Sequence, residues 1–191
     1  MKRKFNFTSF LLLISLFTNA QGRGGIYLNV SGYKTHTLSY ETPCNQSKNK
    51  IRIHNIFGYG AAVTVIKDGE KHILRKKDLY GYVDCNNATY RFYLNTEYRI
   101  VDAGNIYIYT QEEYVSQYKN SSRTIYHFYF STAPDTEILP LTLQNLKHAY
   151  TGNEKFHDML DLYFTDLSLS SYDEAHKMYR LNYLFEKYQN L

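Results

Sequence analysis

Ala62-Val-Thr-Val-Ile-Lys67-Asp68-Gly69-Glu70-Lys-His-Ile-Leu74 is the stretch that decides the fold class. Two runs rich in β-branched and apolar residues flank Asp68-Gly69, a pair suited to the positive φ angles of a type I′ turn. In that register Lys67 stands opposite Glu70 and Val63 opposite Leu74. Opposite charges meet beside the turn and apolar partners meet further out, which is how a two-stranded ribbon holds its pairing. The stretch reads as a β-hairpin and commits this part of the chain to antiparallel sheet.

Working outward, the same period of two recurs. Ile51 to Phe57 alternates, with Ile51, Ile53 and Phe57 on one side, and Gly25 to Val30 reads as a short strand followed by a helical turn over 31–37. Thr42 to Lys50 is polar and reads as a loop. The basic triplet Arg75-Lys76-Lys77, closed by Asp78, reads as a solvated turn. Asp78–Cys85 leads through Asn86-Asn87 to Thr89–Leu94, where Tyr90, Phe92 and Leu94 share a face. Tyr98–Val101 and Ile106–Thr110 bracket the turn composition Asp102-Ala-Gly-Asn105. Residues 111–123 read as a mobile polar loop. Thr124–Ser131 has apolar residues on both faces, as a strand covered on both sides would.

Beyond Pro134 and Pro140 the period changes. Leu143, Leu146 and Tyr150 fit a short helix ending near Gly152, and Phe156, Met159, Leu160, Tyr163 and Phe164 fit an amphipathic helix starting at Asn153. Ser171 and Glu174 have capping-box spacing ahead of a third helix containing Ala175, Met178, Leu181, Leu184 and Tyr188. The expected class is α+β: an antiparallel sheet, as a meander or a partly closed barrel, over about 25–131, then a C-terminal layer of about three helices over about 141–189.

The N-terminus reads as an export signal over residues 1–20. Lys2, Arg3 and Lys4 precede an apolar run from Phe10 to Phe17, and Thr18-Asn19-Ala20 supplies a small-residue cleavage site before Gln21. The run is too short to span a bilayer, since a helix needs roughly 20 apolar residues for that. An uncleaved anchor or a buried strand is the alternative. The expected mature product is a single domain, 21–191, periplasmic or secreted, with no stable membrane insertion once the signal is gone. The chain carries 22 Lys and Arg against 18 Asp and Glu; without Lys2, Arg3 and Lys4 the balance is 19 against 18. A nearly neutral domain has no electrostatic reason to seek nucleic acid or an anionic membrane. In an exported chain the two cysteines, Cys44 and Cys85, point to a disulfide, with two buried free thiols as the alternative.

There are 21 Tyr and no Trp, so aromatic surface comes almost wholly from rings with a hydroxyl tip. The opening Gly25-Ile-Tyr-Leu-Asn-Val-Ser-Gly-Tyr33 and the later Tyr80-Gly81-Tyr82-Val83-Asp84 resemble small exported bacterial proteins with a G-I/V-Y-L start and an aromatic-Gly-aromatic-x-Asp motif. Gly32-Tyr33 stands where those proteins carry an acidic-aromatic pair. The resemblance implies an exported protein and brings no activity with it.

Signatures of chemistry are sparse. No H-E-x-x-H, C-x-x-C, G-x-S-x-G or phosphate-cradling glycine loop occurs, so no metal, cofactor or catalytic residue is expected. His157 and Asp161, four apart on one helix, with His148 and His176 on neighbouring helices, read as surface pairs rather than a zinc site, which needs three or four converging ligands. Glu112-Glu113 reads as solvated surface. The leading expectation is a non-enzymatic protein that binds a partner protein or a cell-envelope component through a Tyr-rich sheet, with Tyr107, Tyr109, Tyr126 and Tyr129 as binding candidates. These four lie partly on opposite strand faces. A lipocalin-like carrier of an apolar ligand and a hydrolase with a site assembled from distant residues are the rival readings.

Overall fold

A computed structural model describes residues 23–44, 49–53, 60–117 and 121–189. The proposed signal, 1–20, lies outside the described residues. The elements in chain order are β1 (Arg23–Tyr27), α1 (Val30–Lys34), β2 (Ser39–Pro43), β3 (Lys50–Arg52), β4 (Ala62–Lys67), β5 (Glu70–Arg75), β6 (Gly81–Val83), β7 (Thr89–Tyr93), β8 (Thr96–Ala103), β9 (Tyr107–Gln117) and β10 (Ser121–Ser131). Then follow β11 (Leu139–Pro140), α2 (Leu143–Ala149), α3 (Glu154–Tyr163), β12 (Tyr172–Asp173), β13 (Met178–Tyr179) and α4 (Arg180–Gln189).

Eight strands form one antiparallel sheet in the order β11-β10-β9-β8-β7-β6-β1-β2, and β3-β4-β5 form a second, smaller sheet. The large sheet is open, with β11 and β2 as its edges, so of the two expected forms the meander is the one adopted. The hairpin has the expected register, Lys67 opposite Glu70 and Val63 opposite Leu74, with Asp68 and Gly69 at φ 52° and 86°. The cysteines are bonded, Cys44 to Cys85. The bridge ties together the ends of β2 and β6, the two strands that flank β1, and closes a loop whose chain-entropy contribution is on the order of 4 kcal/mol.

The front face of the large sheet carries two separate cores. Ile26, Tyr82 and Phe92 pack with Val63, Val65 and Leu79, so the small sheet covers one end. Ile108 and Phe130, with Ile106 at the start of β9, pack under Leu146, Phe156, Met159, Leu160, Leu181 and Leu184, so α2, α3 and α4 cover the other. The helices begin on side-chain caps: Thr142 Oγ1 accepts from Asn145 N–H and Asn153 Oδ1 from Phe156 N–H. Asn182 of α4 is 1% exposed; it accepts from Ile106 N–H and donates to the Ile106 carbonyl, both at 2.8 Å.

Five sequence expectations need correction. The loop read over Thr42–Lys50 is strand at its ends, Thr42 and Pro43 in β2 and Lys50 in β3, and Thr124–Ser131 is not covered on both sides, since Tyr126 and His127 are exposed. Residues 111–117 and 121–123 are strand, not loop, because β9 and β10 pair as one long ribbon in which polar residues such as Gln111 stand opposite His127. Residues 171–179 are a hairpin, not the start of a helix. Asp173 Oδ1 accepts from the N–H groups of Ala175 and His176, and Lys177 turns at φ 55°, so the carboxylate that could have capped a helix closes a tight turn instead. Lys76 is not solvated: it is 3% exposed and donates to Glu97 Oε1 at 2.6 Å, while Tyr82 OH donates to Glu97 Oε2 at 3.0 Å.

Candidate functional site: a valley between two covers

Directly opposed residues form one row across the front face: Ile26, Tyr82, Tyr90, Arg99, Thr110 and Phe128. Its ends are anchored in the two cores, but its middle lies between the small sheet and the helices, where neither cover reaches. Strand alternation puts Glu97, Arg99, Thr110 and Glu112 there. Arg99 is exposed, and it makes no hydrogen bond or ion pair with another described residue. Thr110 is buried at the floor beside it.

Two clefts open on either side of this arginine. The larger, about 720 Å³, has Tyr126, Phe128, Tyr172 and Tyr179 on one wall, Asp102 at one end, and Tyr33, His36 and the Asn87–Thr89 turn along the rest of its lining. The smaller, about 500 Å³, lies towards the small sheet and is lined by Tyr82, Tyr90, Tyr114 and Glu112. Both include Arg99 and Thr110, so they form one valley. Several of its groups are held in place. Tyr179 N–H donates to Asp102 Oδ2 at 3.1 Å, and Tyr114 OH donates to Glu112 Oε2 at 2.8 Å. The Arg99 charge reaches both walls: burial pushes the Tyr90 and Tyr179 hydroxyls above the usual phenol range, and the guanidinium opposes that rise in each.

The back face is built differently. Arg91, 4% exposed, donates to Tyr109 OH at 3.1 Å, to the Thr136 carbonyl at 2.6 Å and to Ser131 Oγ at 3.5 Å. The rings of Tyr80, Tyr93 and Tyr109 lie 5.6–5.9 Å from its guanidinium carbon. No ion pair joins it to a described carboxylate, so the π faces and neutral acceptors carry the compensation for its charge. Tyr33 from α1 stacks on Tyr80 with ring centres 4.6 Å apart. Burial, and then neighbouring tyrosines, push the Tyr33 and Tyr80 hydroxyls well above the ordinary phenol range, with Arg91 acting the other way at Tyr80.

This cluster predicts an alkaline transition. A phenol whose folded-state pKa exceeds its unfolded value of about 10 stabilises the fold fully below that value, and the contribution is lost as pH rises through the folded pKa. The clustered rings are therefore expected to become phenolates only together with unfolding, in a cooperative step above about pH 10. Phenolate absorbance followed beside far-ultraviolet circular dichroism checks it. Complete ionisation with the sheet signal intact would contradict the burial argument.

Of the four binding candidates, Tyr107, Tyr109 and Tyr129 lie on the back face, and Tyr109 is fully buried against Ser131 and Arg91. Tyr126 alone lies in the valley, 53% exposed. No sequence signal marks Arg99, Tyr172 or Tyr179, and Asp102 reads only as part of a turn composition. The alternation Glu97-Tyr98-Arg99 marks a strand, but only the register and the placement of the covers reveal that its charged side faces an open strip. His157 and His176 serve local geometry. His157 Nε2 lies 3.1 and 3.2 Å from the Lys147 and Tyr150 carbonyls at the end of α2, and Asp161 accepts from Lys147. His176, on the β12–β13 turn rather than a helix, stacks on Tyr183 and pairs with Asp173. Among the described residues no helix is long and apolar enough to cross a membrane. Compared with protein-family models, curated proteins and solved structures, the chain has no match.

Proposed function

We propose that this is an exported, non-enzymatic binding protein that holds a cell-envelope component or a partner protein in the valley of its Tyr-rich sheet. The observation that carries the reading is Arg99: an exposed cation with no hydrogen-bond or ion-pair partner among the described residues, set between two tyrosine-walled clefts. A side chain with five donors in a fixed fork is suited to an external ligand. The cystine bridge fits an oxidising compartment. The back-face tyrosines act as the rigid support, since Arg91 locks β7 to β9, β10 and the segment after it.

A second reading has its own support. A space of about 550 Å³ beside the cystine, between the two sheets, is lined by Ile51, Ile53, Tyr82 and Val83 and suits a small apolar ligand, as a carrier would need. The two readings separate by experiment. Wild-type protein is expected to co-sediment with the envelope fraction of its own host, and Arg99→Ala/Tyr126→Ala protein to stay in the supernatant. Equal sedimentation of the two would overturn the valley as the binding surface.

A further inference from the structure

We infer that the occupant of the valley is an oligosaccharide chain; the inference rests on the binding reading above and names its ligand class. The first argument concerns the backbone. Arg99 pairs with Tyr90 on one side and Thr110 on the other, so β8 is internal and its peptide groups are committed to the ladder. An extended peptide laid across this face would find no strand edge to join and would leave its own N–H and C=O groups to side chains alone. A chain of hydroxyls has no such requirement.

The second argument is the side-chain set. A pyranose ring has flat C–H faces and a rim of hydroxyls, each able to donate and accept. The valley supplies both halves. Tyr126 and Tyr172, 53% and 44% exposed, offer ring surface on one wall, and Tyr90 and Tyr114 on the other. Between them Arg99 donates, while the Asp102 and Glu112 carboxylates accept from positions already fixed by Tyr179 N–H and Tyr114 OH. The third argument is charge. One arginine flanked by carboxylates gives no single-signed field, so the strip favours neither a polyanion nor a polycation. Its contents match a neutral, many-hydroxyl ligand that crosses from one cleft to the other past Arg99.

The test is calorimetric titration of the full chain. Neutral glucan, mannan and N-acetylglucosamine oligosaccharides of two and six units serve as probes, followed by protein-free polysaccharide released from the host envelope. At least one sugar is expected to bind, with the six-unit chain about tenfold or more tighter than the two-unit chain because it spans both clefts. Arg99→Ala and Tyr126→Ala each change an exposed side chain, and each is expected to weaken that binding about tenfold or more. Absence of binding to every sugar, with envelope sedimentation still lost on Arg99→Ala/Tyr126→Ala, would sink the oligosaccharide and leave a protein as the occupant. Sugar binding indifferent to both substitutions would place it elsewhere and overturn the inference as well. Absence of both sugar binding and envelope sedimentation in the wild-type protein would remove the function on which it rests.

Discussion

Replacing Lys76 by alanine is expected to lower the unfolding free energy by about 3 kcal/mol, because it removes the counter-charge of a largely buried carboxylate. Lys76 and Glu97 have side chains only 3% and 16% exposed, and the Lys76 ammonium also lies 5.5 Å from the centre of the Phe92 ring. Its attraction to Glu97 offsets a large desolvation cost, so removing the ammonium takes away that counter-charge while the Tyr82 hydrogen bond to Glu97 Oε2 stays. Removing both charges is a different experiment. In Lys76→Met/Glu97→Gln the thioether fills the lysine stem's space and the amide oxygen still accepts from Tyr82 OH. The double variant is therefore expected to be clearly more stable than Lys76→Ala, since no buried charge is left without its counter-charge. Urea unfolding of the three proteins decides it. A Lys76→Ala protein as stable as wild type would mean that the pair is hydrated and carries little.

The second large effect is expected at Asn182. Asn182→Leu keeps the side chain's bulk but leaves the buried N–H and carbonyl of Ile106 without partners. Two such groups cost about 1–3 kcal/mol each, so a loss on the order of 4 kcal/mol is expected. Asn182→Asp should also destabilise, because one carboxylate oxygen can still accept from the amide while the other faces a carbonyl. Gly104 offers an independent probe of the same joint, since a Cβ there would come within 2.7 Å of Asn182 Nδ2. Gly104→Ala is expected to lower stability in the same direction. Thermal unfolding with matched denaturant midpoints would show it, and a stable Asn182→Leu protein would mean that α4 is held by its apolar face alone.

The parts of the fold legible in the sequence were those fixed by local chemistry. Asp68-Gly69 could turn only in one way with Lys67 and Glu70 beside it, and Asn153 caps α3 as its position before Glu154 and Phe156 suggests. The misread parts share a cause, which is that one local device serves two structures. Asp173 offers its carboxylate to two following N–H groups, as an N-cap would, yet here it closes the β12–β13 turn. The spacing of Ala175, Met178, Leu181 and Leu184 then mimics a longer helix than the one that starts at Arg180. Polar residues in 111–123 resembled a loop because the β9–β10 ribbon extends where little packs against it, as the exposure of Tyr114 shows. The valley was illegible for a different reason. Nothing about Arg99 in its own strand distinguishes it from a solvated charge. Its setting is made by covers built from residues 62–79 and 143–185, distant in sequence on both sides.

The helical cover has a consequence for how the protein is made. Ser131 ends the last long strand, and α4 ends at Gln189, which is 189 − 131 = 58 residues later. At a synthesis rate of about 5–20 residues per second, the hairpins of the sheet wait roughly 3–12 s for their lid. During that interval Ile106, Ile108 and Phe130 form a bare apolar strip. A polypeptide emerging N-terminus first thus passes through a sticky half-finished state until the helices arrive.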